Sequence, residues 1–261
     1  MADNRLIGLF DSGVGGLSIF MAIKKLLPRE SFIFLADQGH NPYGEKTPSE
    51  LKSLSARITR FLLSKKIKLL VVACNTATCY ALNYLRSKFA LPIVGVVPAI
   101  KPAVKLTKNG KIAIFSTPAT AKSTYLANLT SDVVPSGFRV LKLGCDGLEE
   151  AIEYLEVEKI DELLNIYPEQ AKRINADVVV LGCTHYPFIK GKIQKKVGRG
   201  VKIIDSGQSI AKRVKFLLKQ KDAFSHKKSR ELFFTTADPA AFSKVASTLL
   251  KYKVSAQKAI I

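Results

Sequence analysis

Short aliphatic runs alternate with longer amphipathic stretches along the chain. "RLIGLF" is followed by "GLSIFMAIKKLL", "SFIFLAD" by "SELKSLSARITRFLLSKK", and "KLLVVAC" by a polar triplet and "ATCYALNYLRSKF". The runs are apolar at nearly every position, as strands buried on both faces must be. The stretches between them place apolar residues three and four apart, which is the period of a helix packed on one side. "LPIVGVV" closes this first series. The rhythm predicts βαβ units joined by right-handed crossovers, and hence parallel sheets covered by helices on both faces.

A second series repeats the first. "KIAIFST" leads into "ATAKSTYLANLT", and "FRVLKLGC" into the long stretch "LEEAIEYLEVEKIDELLNIYPEQAKRI". "ADVVVLGCTHYPF" then meets "IKGKIQKKV", and "VKIIDSG" meets "QSIAKRVKFLLKQ". Two successive units of this size predict an α/β protein with two similar parallel-sheet domains facing each other across a central cleft. The closing segment "RELFFTTADPAAFSKVASTLL" adds one strand and one helix, and its simplest destination is back on the first domain. The expected boundaries are therefore residues 1–96 plus 207–261 for a discontinuous first domain and 97–206 for the second. No low-complexity linker separates them, so short crossings are expected.

At 261 residues, 47% hydrophobic and 24% charged, the chain is globular in composition and long enough for a substantial core. No apolar run approaches the roughly 18 residues that would span a bilayer. "MADNRLIGLFDSG" has an acidic start and only a short apolar run before Asp11. That is too brief for a secretory leader, and a cytoplasmic location is expected. Four cysteines, Cys74, Cys79, Cys145 and Cys183, are too few for a disulfide framework in a chain of this size and compartment.

Charge complicates this picture. Lysine and arginine number 41 against 21 acids, a net of +20. The segment from Gly207 onward holds 12 basic and 3 acidic residues. Such a surface would attract nucleic acid, anionic lipid or small acidic molecules. The basic residues are, however, interleaved with apolar ones ("AKRVKFLLKQKDAF"), as on the solvated face of an amphipathic helix. Neither a nucleic-acid nor a membrane partner is expected.

The candidate chemistry lies where the aliphatic runs stop. Val71-Val72-Ala73-Cys74-Asn75-Thr76 and Val179-Val180-Leu181-Gly182-Cys183-Thr184-His185 share one design. Each has an aliphatic strand, a small residue, a cysteine and then hydrogen-bonding side chains. A single such cysteine would pass for a core residue. Two of them, a domain's length apart, fit the strand carboxyl ends where α/β proteins place ligands. Asp11 and Ser12 end another strand before Gly13, Gly15 and Gly16. That G-x-G-G pattern does not match the dinucleotide fingerprint, and Asp37 alone is weak support for one; a backbone nest holding a carboxylate fits better. "NPYGEK" reads as a tight turn, with Pro42 and Gly44 around Tyr43. "STPATAKS" offers Thr117 and Thr120 beyond a further strand end.

Two rival chemistries use the same residues. Cys74, Cys183 and His185 could form a Cys₂His zinc site, but no C-x₂-C or H-E-x-x-H spacing accompanies them. In that weighing, Cys79, one helical turn past Cys74, is expected to face the core. A papain-like pair of Cys183 and His185 would leave Cys74-Asn75-Thr76 without a purpose.

"FDSGVGG", "PYG", "ACNTAT" and "LGCTHYP", in this order and spacing, closely resemble the pyridoxal-phosphate-independent glutamate racemases over nearly the whole chain. The resemblance implies interconversion of L- and D-glutamate for peptidoglycan synthesis, with no cofactor and no metal. An aspartate or other acidic amino-acid racemase is the alternative within the superfamily, and a basic nucleic-acid-binding protein on the same fold is the non-enzymatic one. By analogy, Cys74 and Cys183 are the catalytic acid and base. Helix N-termini behind both cysteines are expected to favour their thiolates. Asp11 beside Cys74, and His185 with Glu153 beside Cys183, match the family's auxiliary proton carriers. Asp11, Ser12, Pro42, Tyr43, Gly44, Asn75, Thr76, Thr184 and His185 match the substrate-binding positions, with Thr117 and Thr120 added from their place at a strand end. A homodimer is implied by the same resemblance. The chain departs from the family in "ADQGHNPYG", in "VGVVPAIKPA", and in "GCDGLEEAIE", where the proline usual after Cys145 is missing.

Overall fold

The computed structural model describes residues 3–261. The chain divides into two compact units: the residues up to Val96 together with Gly207–Ile261, and Val97–Ser206.

The first unit holds strands β1 (Leu6–Asp11), β2 (Phe32–Ala36), β3 (Ile67–Val72), β4 (Ile93–Gly95), β9 (Glu231–Thr235) and β10 (Ala256–Lys258). They form one sheet in the order β10-β9-β2-β1-β3-β4, and every pairing is parallel. β1, β2 and β3 are buried along their whole length, which explains why they read as unbroken aliphatic runs. Helices α1 (Leu17–Leu26), α10 (Gly207–Gln220) and α11 (Pro239–Leu250) form one packed group, and α2 (Pro48–Ser64) and α3 (Asn75–Lys88) another.

Side-chain caps mark where these helices begin. Thr47 and Glu50 form a reciprocal capping box ahead of Pro48 at the start of α2, and Asp238 accepts from the amides of Ala240 and Ala241 at the start of α11. Such caps each contribute roughly 1 kcal/mol. Aromatic packing ties the returning C-terminal segment to the sheet. The ring of Phe20 meets those of Phe32 at 5.3 Å and Phe233 at 5.6 Å, both edge-on, and Phe34 stacks on Phe242 at 6.3 Å. At the amino ends of the strands, Lys68 Nζ lies 2.7 Å from Glu30 Oε2 and donates to the carbonyls of Asp3 and Ala223 at 2.6 and 2.7 Å.

The second unit repeats the same core. Its strands are β5 (Lys111–Ser116), β6 (Arg139–Gly144), β7 (Val178–Leu181) and β8 (Lys202–Asp205), in the parallel order β6-β5-β7-β8. Alternate residues serve two cores. Ala113, Phe115, Val179 and Leu181 join the cluster beneath α7 (Leu148–Glu153), α8 (Val157–Arg173) and α9 (Lys190–Val197). Ile112, Ile114, Val178 and Val180 join the cluster beneath α4 (Ile100–Leu106) and α6 (Thr124–Val133).

Two stretches expected as single helices are broken. The one over 119–130 divides at Ser123 into α5 (Pro118–Lys122) and α6, because the Ser123 hydroxyl accepts from the Leu126 amide at 3.1 Å and starts a new helix. The stretch over 148–174 divides into α7 and α8 at Leu155, whose left-handed backbone (φ 58°) ends the first helix. The closing segment also supplies a strand beyond the one expected, β10, at the edge of the sheet.

The strand orders fix where ligands gather. In β2-β1-β3 and in β6-β5-β7, the chain leaves the first strand to one side and returns on the other. Each unit therefore has a topological switch point, between β1 and β3 and between β5 and β7. The crevice outside the carboxyl ends at such a point is the usual ligand site of an open parallel sheet.

Candidate active site

β1 ends on Asp11 and β3 on Val72, so the first switch point is bounded by Asp11-Ser12 and by Ala73-Cys74. The backbone holds these segments in register: the amide of Ala73 donates to Phe10 O, and that of Asp37 to Asp11 O, both at 2.8 Å. Cys74 occupies the N-cap of α3, its Sγ accepting from the Ala77 amide at 3.4 Å. A sulfur at this position faces the positive end of a 14-residue helix, which favours the thiolate. Ser12 Oγ lies 3.7 Å from the same sulfur. Asp11 Oδ1 accepts from the Gly13 amide at 3.1 Å and the Ser12 hydroxyl at 3.4 Å. Gly16 makes this turn possible, because a Cβ there would come within 2.6 Å of Asp11 Cβ and 2.9 Å of the Phe34 ring.

Asn75 and Thr76 open α3 and are buried. Asn75 Oδ1 has no hydrogen-bond partner among the described residues. A buried amide oxygen left unpaired costs about 1–3 kcal/mol, which a ligand donor would offset.

Of the "PYG" residues only Tyr43 is buried; Pro42 and Gly44 are exposed. The Tyr43 hydroxyl donates to Asp37 Oδ2 at 2.7 Å. Burial first, and then the Asp37 carboxylate, push this phenol well above its ordinary value, so it stays protonated as a donor. Asp37 Oδ1 also takes His40 Nδ1 at 2.7 Å and the Thr236 hydroxyl at 2.8 Å. Asp37 is thus the anchor of the Tyr43 turn. Sequence reasoning considered it only as a ribose ligand and missed this role. The one signal for it was a strand-terminal acid six residues before the tyrosine.

The second switch point carries Thr117 after β5 and Cys183 after β7. Thr117 caps α5, accepting from the Thr120 amide at 3.3 Å, and the two hydroxyls lie 3.0 Å apart. Cys183 Sγ lies 3.6 Å from His185 Nδ1, and His185 Nε2 lies 2.6 Å from Glu153 Oε2 at the end of α7. All three residues are buried, as is Thr184 between the thiol and the imidazole.

The expectation of a helix N-terminus behind each cysteine needs correction here. Cys183 leads into a 3-10 turn over Tyr186–Ile189, and α9 begins only at Lys190. The group that supports a Cys183 thiolate is His185 instead. Burial pushes the Cys183 thiol up, while the hydrogen bond and charge of His185 pull it back without fully cancelling the rise. Burial works against an imidazolium at His185, but hydrogen bonds to Cys183 and Glu153 prevail and hold the imidazole well above its ordinary value.

The other two cysteines lie in different surroundings. Cys145 is buried with its Sγ 3.9 Å from Leu143 O, and burial drives its thiol far up. Cys79 is half-buried on α3 rather than facing the core.

Each parallel-sheet unit thus places a buried thiol beside titratable side chains at its switch point. The family profile described as Asp/Glu/Hydantoin racemase matches residues 22–214, and the chain belongs to that family. Among its relatives, the glutamate racemase of Herpetosiphon aurantiacus is 39% identical over 247 residues, covering 93% of this chain and 97% of the relative. The glutamate racemase of Clostridium perfringens is 38% identical over 257 residues, 96% of this chain and 98% of the relative. Among solved structures, the glutamate racemase isoform RacE1 of Bacillus anthracis superposes with a TM-score of 0.90 at 30% identity, covering 99% and 98% of the two chains. The Escherichia coli glutamate racemase, solved with L-glutamate and the activator UDP-MurNAc-ala, gives 0.84 at 32% identity over 97% of each chain.

Proposed function

We propose that this chain is a cofactor-independent glutamate racemase in which Cys74 and Cys183 exchange the roles of base and acid. The α-hydrogen of an amino acid is a very weak acid. Inverting the centre requires its removal from one face and delivery of a proton to the other. A thiolate takes the Cα proton and becomes a thiol; the opposite thiol gives its proton to Cα and becomes the thiolate. Protons and charge balance, and the reverse reaction starts from the state left behind. The observation that carries the reading is the repeated placement of a buried thiol at each switch point, each next to its own proton-handling groups. Cys74 has Ser12 and, beside Ser12, Asp11; Cys183 has His185 and Glu153.

The remaining site residues suit an amino acid with two carboxylates. Asn75 Oδ1 is an acceptor available to the α-ammonium. Ser12, Thr76, Thr117, Thr120 and Thr184, with backbone amides at the glycine turn and the Pro42-Tyr43-Gly44 turn, supply donors for the carboxylates. Donors on the α-carboxylate would stabilise the negative charge that develops there as the proton leaves. Cys74 is assigned to D-glutamate and Cys183 to L-glutamate on the family resemblance.

The enzyme is further proposed to act in the cytoplasm as a homodimer, supplying D-glutamate for peptidoglycan. Among the described residues no helix is long and apolar enough to cross a membrane; the dimer and the pathway rest on the resemblance. Circular dichroism tests the reaction directly, with L- and D-glutamate, L-aspartate and L-glutamine as substrates. Glutamate should lose its optical signal from either enantiomer, without added pyridoxal phosphate and regardless of chelator. Faster turnover of aspartate would overturn the substrate assignment.

A further inference from the structure

The helix that supplies Glu153 carries a second carboxylate on the same side. Glu149 lies four residues earlier on α7, and residues four apart on a helix stand one above the other on one face. That face is turned toward the 3-10 segment after His185, against which α7 packs. Glu149 is half-buried, while Glu153 is buried. A carboxylate at Glu149 adds to the rise of Cys183, His185 and Tyr186, behind burial at the thiol and phenol and behind the hydrogen bonds of Cys183 and Glu153 at the imidazole.

We propose that Glu149 is a positioning residue of the Cys183 half-site: its carboxylate, one turn before Glu153, acts on the same thiol–imidazole pair and holds that pair's proton in place. The inference rests on Cys183 being one of the two acid–base groups. A negative charge there opposes a Cys183 thiolate and favours a protonated His185, adding to the burial that raises the thiol and to the hydrogen bonds that raise the imidazole. The other titratable groups around the pair are Glu153 on α7, Cys145 after β6, Tyr186 in the 3-10 segment and, behind Cys145, Tyr167 on α8. The thiol and both phenols are pushed up by burial, so they are neutral near pH 7. The acidic side chains of α7 beside the pair are the two glutamates, Glu153 at 2.6 Å from His185 Nε2 and Glu149 one turn earlier. With Glu149 present, the added negative charge disfavours ionisation of Cys183.

The two enantiomers have equal free energy, so kcat/KM must be equal in both directions at every pH. Its acid limb therefore reports the site as a coupled whole. Neutralising Glu149 should make the first proton leave more easily. We expect Glu149→Gln and Glu149→Ala to move the acid limb of kcat/KM to lower pH by about half a unit or more, the scale of a nearby like charge partly screened by solvent. Glu149→Asp, which keeps the charge, should restore the limb. A second readout does not depend on racemisation. In a Cys74→Ala background, iodoacetamide labelling of Cys183 followed by peptide mass spectrometry should start at lower pH in the neutral variants. Unchanged limbs together with unchanged labelling would overturn the proposal. So would failure of both neutral variants to fold while Glu149→Asp folds, which would mark the residue as structural. Full activity in Cys183→Ala would instead overturn the two-thiol reading, and the labelling shift would still stand or fall separately.

Discussion

At the scale of single residues, the same amino acid serves two purposes in this chain, and its surroundings decide which. Cys145 is buried with its sulfur 3.9 Å from Leu143 O, and burial keeps its thiol too basic to ionise near neutral pH. Cys74 is on a helix N-cap, and Cys183 is beside an imidazole held by a carboxylate. Replacing either Cys74 or Cys183 with alanine should reduce racemisation by at least ~10²-fold, the low end for losing a positioned acid or base. Cys79→Ala and Cys145→Ala should retain activity wherever they fold. Kinetics of the four single variants, each with a far-ultraviolet circular-dichroism spectrum to confirm folding, decide this. Wild-type rates in Cys74→Ala or Cys183→Ala would remove the basis for the mechanism. The sequence pointed to both cysteines because each interrupts an aliphatic run with polar side chains. It could not reveal that His185 replaces a helix dipole as the support for Cys183, since a 3-10 turn and an α-helix begin with similar residues. Nor could it show Asp37 collecting Tyr43, His40 and Thr236, because Thr236 comes from the bend just after β9, 199 positions away.

At the scale of elements, hydrophobic periodicity located the main strands and helices, and the misses came from local chemistry that periodicity does not register. Ser123 starts a helix inside what reads as one, through a hydroxyl bonded to the Leu126 amide. Leu155 ends another by adopting a left-handed backbone that its side chain disfavours. β10 is only three residues long and carries two exposed positions, too little for an alternation to be read. Turn geometry gives a contrast that tests this local account. Lys251 closes α11 in the left-handed region (φ 61°, ψ 28°), where glycine is the favoured residue. Lys251→Gly should therefore stabilise by about 0.5–1 kcal/mol, the steric relief exceeding the entropy glycine adds to the unfolded chain. Gly16→Ala should do the opposite, since its methyl would meet Asp11 and Phe34 at 2.6 and 2.9 Å, with a cost of about 1–3 kcal/mol for overpacking. Urea midpoints at unchanged slope measure both. A stabilised Gly16→Ala would mean that the glycine turn is looser than its contacts indicate.

At the scale of the whole molecule, the chain holds two copies of one idea: a parallel sheet with a thiol just past the strand at its switch point. β2-β1-β3-β4 and β6-β5-β7-β8 follow the same order, which is why the two cysteine stretches read alike in the sequence. The return of the C-terminal segment to the first sheet was inferable from its leftover strand and helix; its pairing with β2 and its clamp of phenylalanines were not. The central claim, that one thiol removes the proton and the other delivers a different one, is tested most directly in heavy water. L-glutamate is incubated with the enzyme in deuterium oxide, the reaction is stopped at low conversion, and the separated enantiomers are weighed by mass spectrometry. A thiol that delivers the proton exchanges with solvent while the site is empty. The early D-glutamate should therefore carry deuterium at Cα and the remaining L-glutamate should stay protiated. Substantial protium in the D-glutamate would mean that one base serves both faces, and would contradict the assignment of Cys74 and Cys183.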